Sequence, residues 1–162
     1  MDAHTRPGRS LIERLEEFEQ VFQAEDPWSF LTSRYEQARH RLTLDLVPPC
    51  GLALEVGCAE GVFTEMLAGH VGRVIAFDFS RTALDRARKR CAHHTNVSFA
   101  LADLVTVEFP EAFDVVVATE VLGYLEEWRM ASLLAKMARW LHPGGLLITN
   151  PPMGRSAIGF ST

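Results

Sequence analysis

The chain has 162 residues, 48% of them hydrophobic, which is enough apolar material for one sizeable core and too little length for two full domains. Its 16 basic and 21 acidic residues leave a formal net charge of -5, which argues against general attraction to nucleic acid or an anionic membrane and points to a small polar partner. Cys50, Cys58 and Cys91 form no CxxC pair, the six histidines fall at no metal-ligand spacing, and the polar N-terminus lacks a signal-peptide core, so the expectation is a cytoplasmic protein with no metal and no disulfide framework.

Residues 1–9 read as a flexible leader, and residues 10–49 as an N-terminal helical cap. Leu11, Leu15, Phe18 and Phe22 recur at helical spacing among Glu13, Glu16, Glu17 and Glu19. Asp26 before Pro27 has the form of an N-cap followed by a first-turn proline, opening a second helix with a stripe of Leu31, Tyr35, Ala38, Leu42 and Leu46. Pro48-Pro49 stops it. Trp28, Phe30 and Tyr35 fit two roles, packing between the two helices or covering a ligand.

Residues 50–150 then alternate strand, turn and helix. Ala53–Val56, Arg73–Phe77, Val97–Leu101, Phe113–Ala118 and Leu146–Thr149 read as strands, and such apolar runs are expected to be buried on both faces of a parallel sheet. Val62–Ala68, a segment capped by Ser80, and a segment from about Trp128 to Leu141 read as helices. His142-Pro143-Gly144-Gly145 reads as the stop of the third. The run Arg81, Arg86, Arg88, Lys89 and Arg90 reads as a solvated face. Residues 151–162 form a tail too rich in Pro and Gly for a long regular element, and Asn150-Pro151-Pro152 reads as a strand exit.

The chemistry concentrates around Leu54-Glu55-Val56-Gly57-Cys58-Ala59-Glu60-Gly61, an apolar strand ending in an acid and opening into a glycine turn. In an open parallel sheet a ligand lies beyond the carboxyl ends of the strands, and Glu55, Asp78 and Asp103 all fall at such ends. Asp78 follows Gly57 at about the distance from which a carboxylate reaches vicinal ribose hydroxyls. Asp103 suits either an adenine amino group or the cap of a turn. The dinucleotide fingerprint G-x-G-x-x-G is absent, because Ala59 stands at its middle position, so the turn favours a nucleoside ligand without a pyrophosphate.

These residues resemble the Rossmann-like class I S-adenosylmethionine-dependent methyltransferases. The octapeptide is similar to the glycine-rich first motif, Asp78 with Phe79 to the ribose and adenine contacts, and Ala102-Asp103-Leu104 to the adenine-edge motif. Leu141-His142-Pro143-Gly144-Gly145 is similar to the turn before the fifth strand. The resemblance implies an α/β fold with a mainly parallel sheet in the order 3-2-1-4-5, helices on both faces and two N-terminal helices. It implies that S-adenosyl-L-methionine is bound by Glu55, Gly57, Cys58, Ala59, Gly61, Asp78, Phe79, Asp103, Leu104 and Thr119. The family fold continues after its fifth strand, so the usual C-terminal antiparallel hairpin is expected to be absent from this chain.

Asp26-Pro27-Trp28-Ser29-Phe30, Thr32-Ser33-Arg34-Tyr35-Glu36 and Thr119-Glu120-Val121-Leu122-Gly123-Tyr124-Leu125 resemble the nodulation protein S (NodS) family, whose members N-methylate a deacetylated glucosamine. The resemblance implies a small-molecule acceptor, an amino sugar or oligosaccharide, with Glu120 and Tyr124 as catalytic residues and Trp28 and Tyr35 shaping the substrate pocket. A carboxylate at Glu120 suits an amine acceptor, which must arrive neutral and give up a proton. It also suits a structural hydrogen bond to a helix N-terminus. An O-methyltransferase and a non-catalytic cofactor-binding module are the alternatives.

Overall fold

The computed structural model describes residues 11–110, 112–119, 121–124 and 127–150. Five strands, β1 (Leu52–Val56), β2 (Arg73–Asp78), β3 (Val97–Leu101), β4 (Phe113–Thr119) and β5 (Leu141–Asn150), form one sheet in the order β3-β2-β1-β4-β5. Every pairing is parallel. The helices are α1 (Leu11–Val21), α2 (Arg34–Asp45), α3 (Val62–Ala68), α4 (Arg81–Arg90) and α5 (Glu127–Arg139). Among the described residues no helix is long and apolar enough to cross a membrane.

Strand alternation divides the core into two layers. On one face Ala53, Val74, Ala76, Val115 and Val117 meet Phe63 and Leu67 of α3 and Leu84 of α4. On the other, Leu54, Val56, Phe77, Val116 and Ala118 meet Leu133 and Met137 of α5 and Trp140. The central strands are therefore buried on both faces, as their apolar runs predict. β3 lies at an edge and has no fully buried residue, with Leu101 47% exposed, because only one neighbour flanks it.

Two boundaries and one helix face depart from the sequence expectation. Asp26 does not cap the second helix: its φ is 48° and its carboxylate accepts from the Leu31 amide at 3.1 Å, closing a loop ahead of the helix. Ser33 caps α2 instead, accepting from the Glu36 amide. The stripe of α2 also faces the other way. Tyr35, Ala38, Leu42 and Leu46 are exposed, whereas His40, Thr43 and the following Val47 turn inward. Thr43 tolerates burial because its hydroxyl donates to the Arg39 carbonyl. Finally, α5 ends at Arg139, and Leu141 already pairs with Phe113, so His142-Pro143-Gly144-Gly145 lies within β5 as an irregularity between the Phe113 and Val115 pairings. Gly144, at φ 88°, and the His142 imidazole, 2.6 Å from Asp114 Oδ1, accommodate it.

Candidate functional site

The strand order reverses between β1 and β4, so the crevice beyond their carboxyl ends is where this sheet can receive a ligand. The glycine turn after β1 forms the floor of that crevice. Gly57 has a φ of 71°, and a Cβ there would stand 2.5 Å from Val121 Cγ2, so a side chain is excluded by both conformation and space. The Gly57 and Cys58 amides share the Phe77 carbonyl at 2.9 and 3.1 Å, tying the turn to β2. Gly61 caps α3 at a φ of 78°, where a Cβ would meet Ala87 of α4 at 2.9 Å. Ala59 adopts a φ of 46°, a left-handed conformation that disfavours a Cβ. Its middle position in the motif thus carries strain that small size alone does not remove.

Three acids converge on this rim. Glu55 is buried at the end of β1, and its Oε2 has no hydrogen-bond partner. Burial pushes its carboxyl up to about 8; the nearby Thr64 hydroxyl offsets part of that without completing a hydrogen bond, and the neighbouring Asp78 adds to it. Asp78 closes β2 and is 5% exposed. Its Oδ2 accepts from the Ala59 amide and its Oδ1 from the Ser80 amide, both at 2.9 Å, so it joins the first turn to the second. Burial raises its carboxyl to about 6, although those amides pull the other way. Each Asp78 oxygen retains a lone pair for a further donor. Asp103, two residues beyond β3, takes the turn-capping role with one of its oxygens. Its Oδ1 caps a turn by accepting from the Val105 amide at 2.9 Å, while its Oδ2 is buried without a partner.

The other predicted positions divide. Cys58 is buried beside the acids, and burial followed by the charges of Glu55 and Asp78 drives its thiol well above the usual range. Leu104 is buried in the layer that includes Phe77 and Leu122, so its visible contribution is packing. Thr119 ends β4 opposite Asn150. Tyr124 lies in a short 3-10 turn, Leu122–Tyr124. Glu120 lies outside the described residues, as do the leader and the tail. Trp28 joins a chain of rings, 4.8 Å from Phe22 and 6.0 Å from Phe30. Tyr35 stands outside that chain, 49% exposed on the first turn of α2.

The cap reaches the crevice through contacts that the sequence did not indicate. Phe18 of α1 meets Phe79 edge-on at 5.1 Å, and Glu19 accepts from the Arg81 amide at the start of α4 at 2.7 Å. Arg86 is only partly solvated: it donates to the Ala24 carbonyl at 2.6 Å and pairs with the buried carboxylate of Glu60. Arg90 Nε donates to the Glu60 carbonyl at 3.0 Å. A signal was available, because Arg86 and Arg90 are four apart on one helical face and Glu60 is an acid inside the glycine turn. His40 lies buried between Phe30 and Phe63, at 5.2 and 5.6 Å, with its Nδ1 unpaired. Burial, with the Arg39 charge, lowers its imidazole to about 4, so it is neutral at pH 7.

The NodS family model matches residues 12–158. The chain belongs to the nodulation protein S (NodS) family. A nodulation protein S of Rhizobium tropici is 40% identical over 131 residues, covering 77% of this chain and 54% of that protein. One from Sinorhizobium fredii is 40% identical over 108 residues, covering 64% of this chain and 50% of its own length. The chain thus spans about half the length of these two curated relatives. The crystal structure of N-methyltransferase NodS from Bradyrhizobium japonicum WM9 in complex with S-adenosyl-L-homocysteine superposes with a TM-score of 0.79 at 34% identity, covering 83% of this chain and 71% of that one. The five-strand order of a Rossmann-like methyltransferase, expected from the motifs, is thereby shared with a solved member of the family.

Proposed function

We propose that the chain binds S-adenosyl-L-methionine on the rim formed by β1, β2 and β3 and belongs to an enzyme that N-methylates a small amine. The observation that carries the reading is the pair of buried, unpartnered carboxylate oxygens, Glu55 Oε2 and Asp103 Oδ2, on either side of Asp78. Buried polar atoms without partners are costly, and a ligand with matching donors would satisfy them. An α-ammonium group fits Glu55, ribose hydroxyls fit Asp78, and an adenine amino group fits Asp103. Gly57, Cys58, Ala59 and Gly61 supply a close backbone surface, while Phe79, Leu104 and Thr119 complete the cofactor set. The complex of the Bradyrhizobium NodS with S-adenosyl-L-homocysteine supports this assignment.

Bound there, the cofactor supplies an electrophilic methyl group carried on a sulfonium. The protein's task is orientation and proton management at the acceptor. Glu120, directly after β4, is assigned to hold the acceptor nitrogen and take its proton; Tyr124, Trp28 and Tyr35 shape the pocket. The acceptor is an amino sugar or amino-bearing oligosaccharide, and the reduced thiols Cys50, Cys58 and Cys91 suit a cytoplasmic setting.

Calorimetry with S-adenosylhomocysteine tests the cofactor half of the reading. Burial pushes the Glu55 carboxyl up to about 8, so in the free protein it should be mostly protonated at pH 7 and should ionise against the incoming ammonium; binding should then release a proton, seen as a dependence of the heat on buffer ionisation enthalpy. Glu55→Gln should abolish that dependence and weaken binding by about tenfold, or about 1.4 kcal/mol. Binding with no proton release would remove Glu55 from the site. For the acceptor, methyl transfer should occur to a deacetylated chitooligosaccharide and not to a phenol. Glu120→Gln should depress kcat far more than cofactor affinity.

A further inference from the structure

We propose that Glu65, His93 and His94 form a surface site for a divalent transition-metal ion such as zinc, bridging α3 and α4 on the flank of the glycine turn. Glu65 lies 28 positions ahead of the adjacent His93 and His94, which is why spacing alone does not reveal the set. Folding places one donor atom from each within 4.8 Å of the others. Zinc bound tetrahedrally at about 2.0–2.1 Å to nitrogen and oxygen needs donor atoms about 3.3 Å apart. His93 Nε2 and Glu65 Oε1 are already 3.5 Å apart. The remaining closure falls to side chains free to move: His93 is 62% exposed and Glu65 37%.

The chemistry of the set is specific. Two imidazoles and one carboxylate match a borderline cation better than calcium or magnesium, which take mainly oxygen ligands. The two rings lie 4.2 Å apart, centroid to centroid, and so present a common face. Glu65 Oε2 lies 3.9 Å from Arg90 Nη1, a loose contact, while Oε1 is turned toward His93. Arg90 is itself anchored on the Glu60 carbonyl and therefore cannot swing into the metal position without breaking that bond. Three protein donors leave one coordination position for water.

The position has a structural consequence. Glu65 lies in the first turn of α3, whose cap is Gly61, while His93 and His94 follow α4, whose Ala87 packs against Gly61. A metal at the site would tie the two helices that hold the glycine turn.

The test is calorimetric titration of zinc chloride into tag-free protein carrying Cys50→Ser, which removes the one half-buried thiol as a competing ligand. One equivalent should bind, His93→Ala/His94→Ala should weaken it at least about tenfold, and Glu65→Gln should weaken it severalfold. Circular dichroism checks that the variants are folded; should the double variant fail, the exposed His93→Ala alone gives the same reading. Cobalt should give the visible absorption of a tetrahedral site in the parent and not in the histidine variant. No zinc binding at about 100 µM, or equal binding in the parent and the folded histidine variant, overturns the proposal.

Discussion

The cap and the sheet are attached to the same crevice by different physics. The sheet holds its rim through a parallel ladder and two apolar layers in which Leu54, Phe77, Val115 and Trp140 are almost completely buried. The cap holds on through individual contacts: Phe18 on Phe79, Glu19 on the Arg81 amide, Arg86 between Ala24 and Glu60, and His40 between two phenylalanines. The two also respond oppositely to pH. Glu55 and Asp78 have raised folded values, so their contribution to stability is greatest in acid and is lost as pH rises through about 6 for Asp78 and about 8 for Glu55. His40 is lowered, so its contribution is complete above pH 6.5 and is lost as pH falls through about 4. A rim strained by its own carboxylates is poised to gain from a cationic ligand, whereas the cap over it fails in acid.

The largest effect is expected on the sheet side. Gly57→Ala combines a left-handed φ with a contact of 2.5 Å to Val121, so it should cost about 2–5 kcal/mol in urea unfolding and abolish cofactor binding together. An unchanged midpoint would show that the turn can move and that the rim is not the rigid half of the comparison.

The next effects fall on the cap. His40→Leu should flatten the acid limb of stability, which His40 accounts for by up to about 3 kcal/mol between pH 6.5 and 4. If the acid limb persists in that variant, His40 is not what fails in acid. Arg86→Met should cost about 2 kcal/mol, because Glu60 would be left buried and unpaired, and should speed proteolysis ahead of residue 34. Glu60→Gln in the same chain should recover part of the loss. Strict additivity in that cycle would mean that the two residues do not act as a pair.

The same division governs what could be read from the sequence. The strands, the glycine turn and the acids at strand ends were legible because each depends on local patterning and on a rule that fixes where a parallel sheet receives its ligand, whereas the strand order came from the family resemblance. The cap was misread in detail. Its Leu42 and Leu46 suggested a buried face, but the aromatic pocket of Phe30 and Phe63 selects His40, and no periodicity in α2 carries that information. Asp26 and Ser33 both have the chemistry of an N-cap, and the loop hydrogen bond of Asp26 decides between them. Arg86 looked like part of a solvated run because its partners, Ala24 and Glu60, are 62 and 26 residues away.

The smallest effect, and the finest probe of the rim, is Ala59→Gly. A non-glycine residue in the left-handed region is disfavoured by about 1–2 kcal/mol, and Ala59 sits there with a φ of 46°. Glycine removes that strain but adds about 0.4–1 kcal/mol of unfolded-chain entropy to be lost on folding. The net expectation is a gain of about 0.5–1 kcal/mol in urea unfolding, with the Asp78 hydrogen bond to the residue 59 amide retained. Cofactor affinity should hold or improve slightly, since the amide stays in place. A loss of stability would instead mean that the alanine methyl is packed favourably against the turn and that the strain at position 59 is offset locally, making the first turn a better-fitted element than its dihedral angle implies.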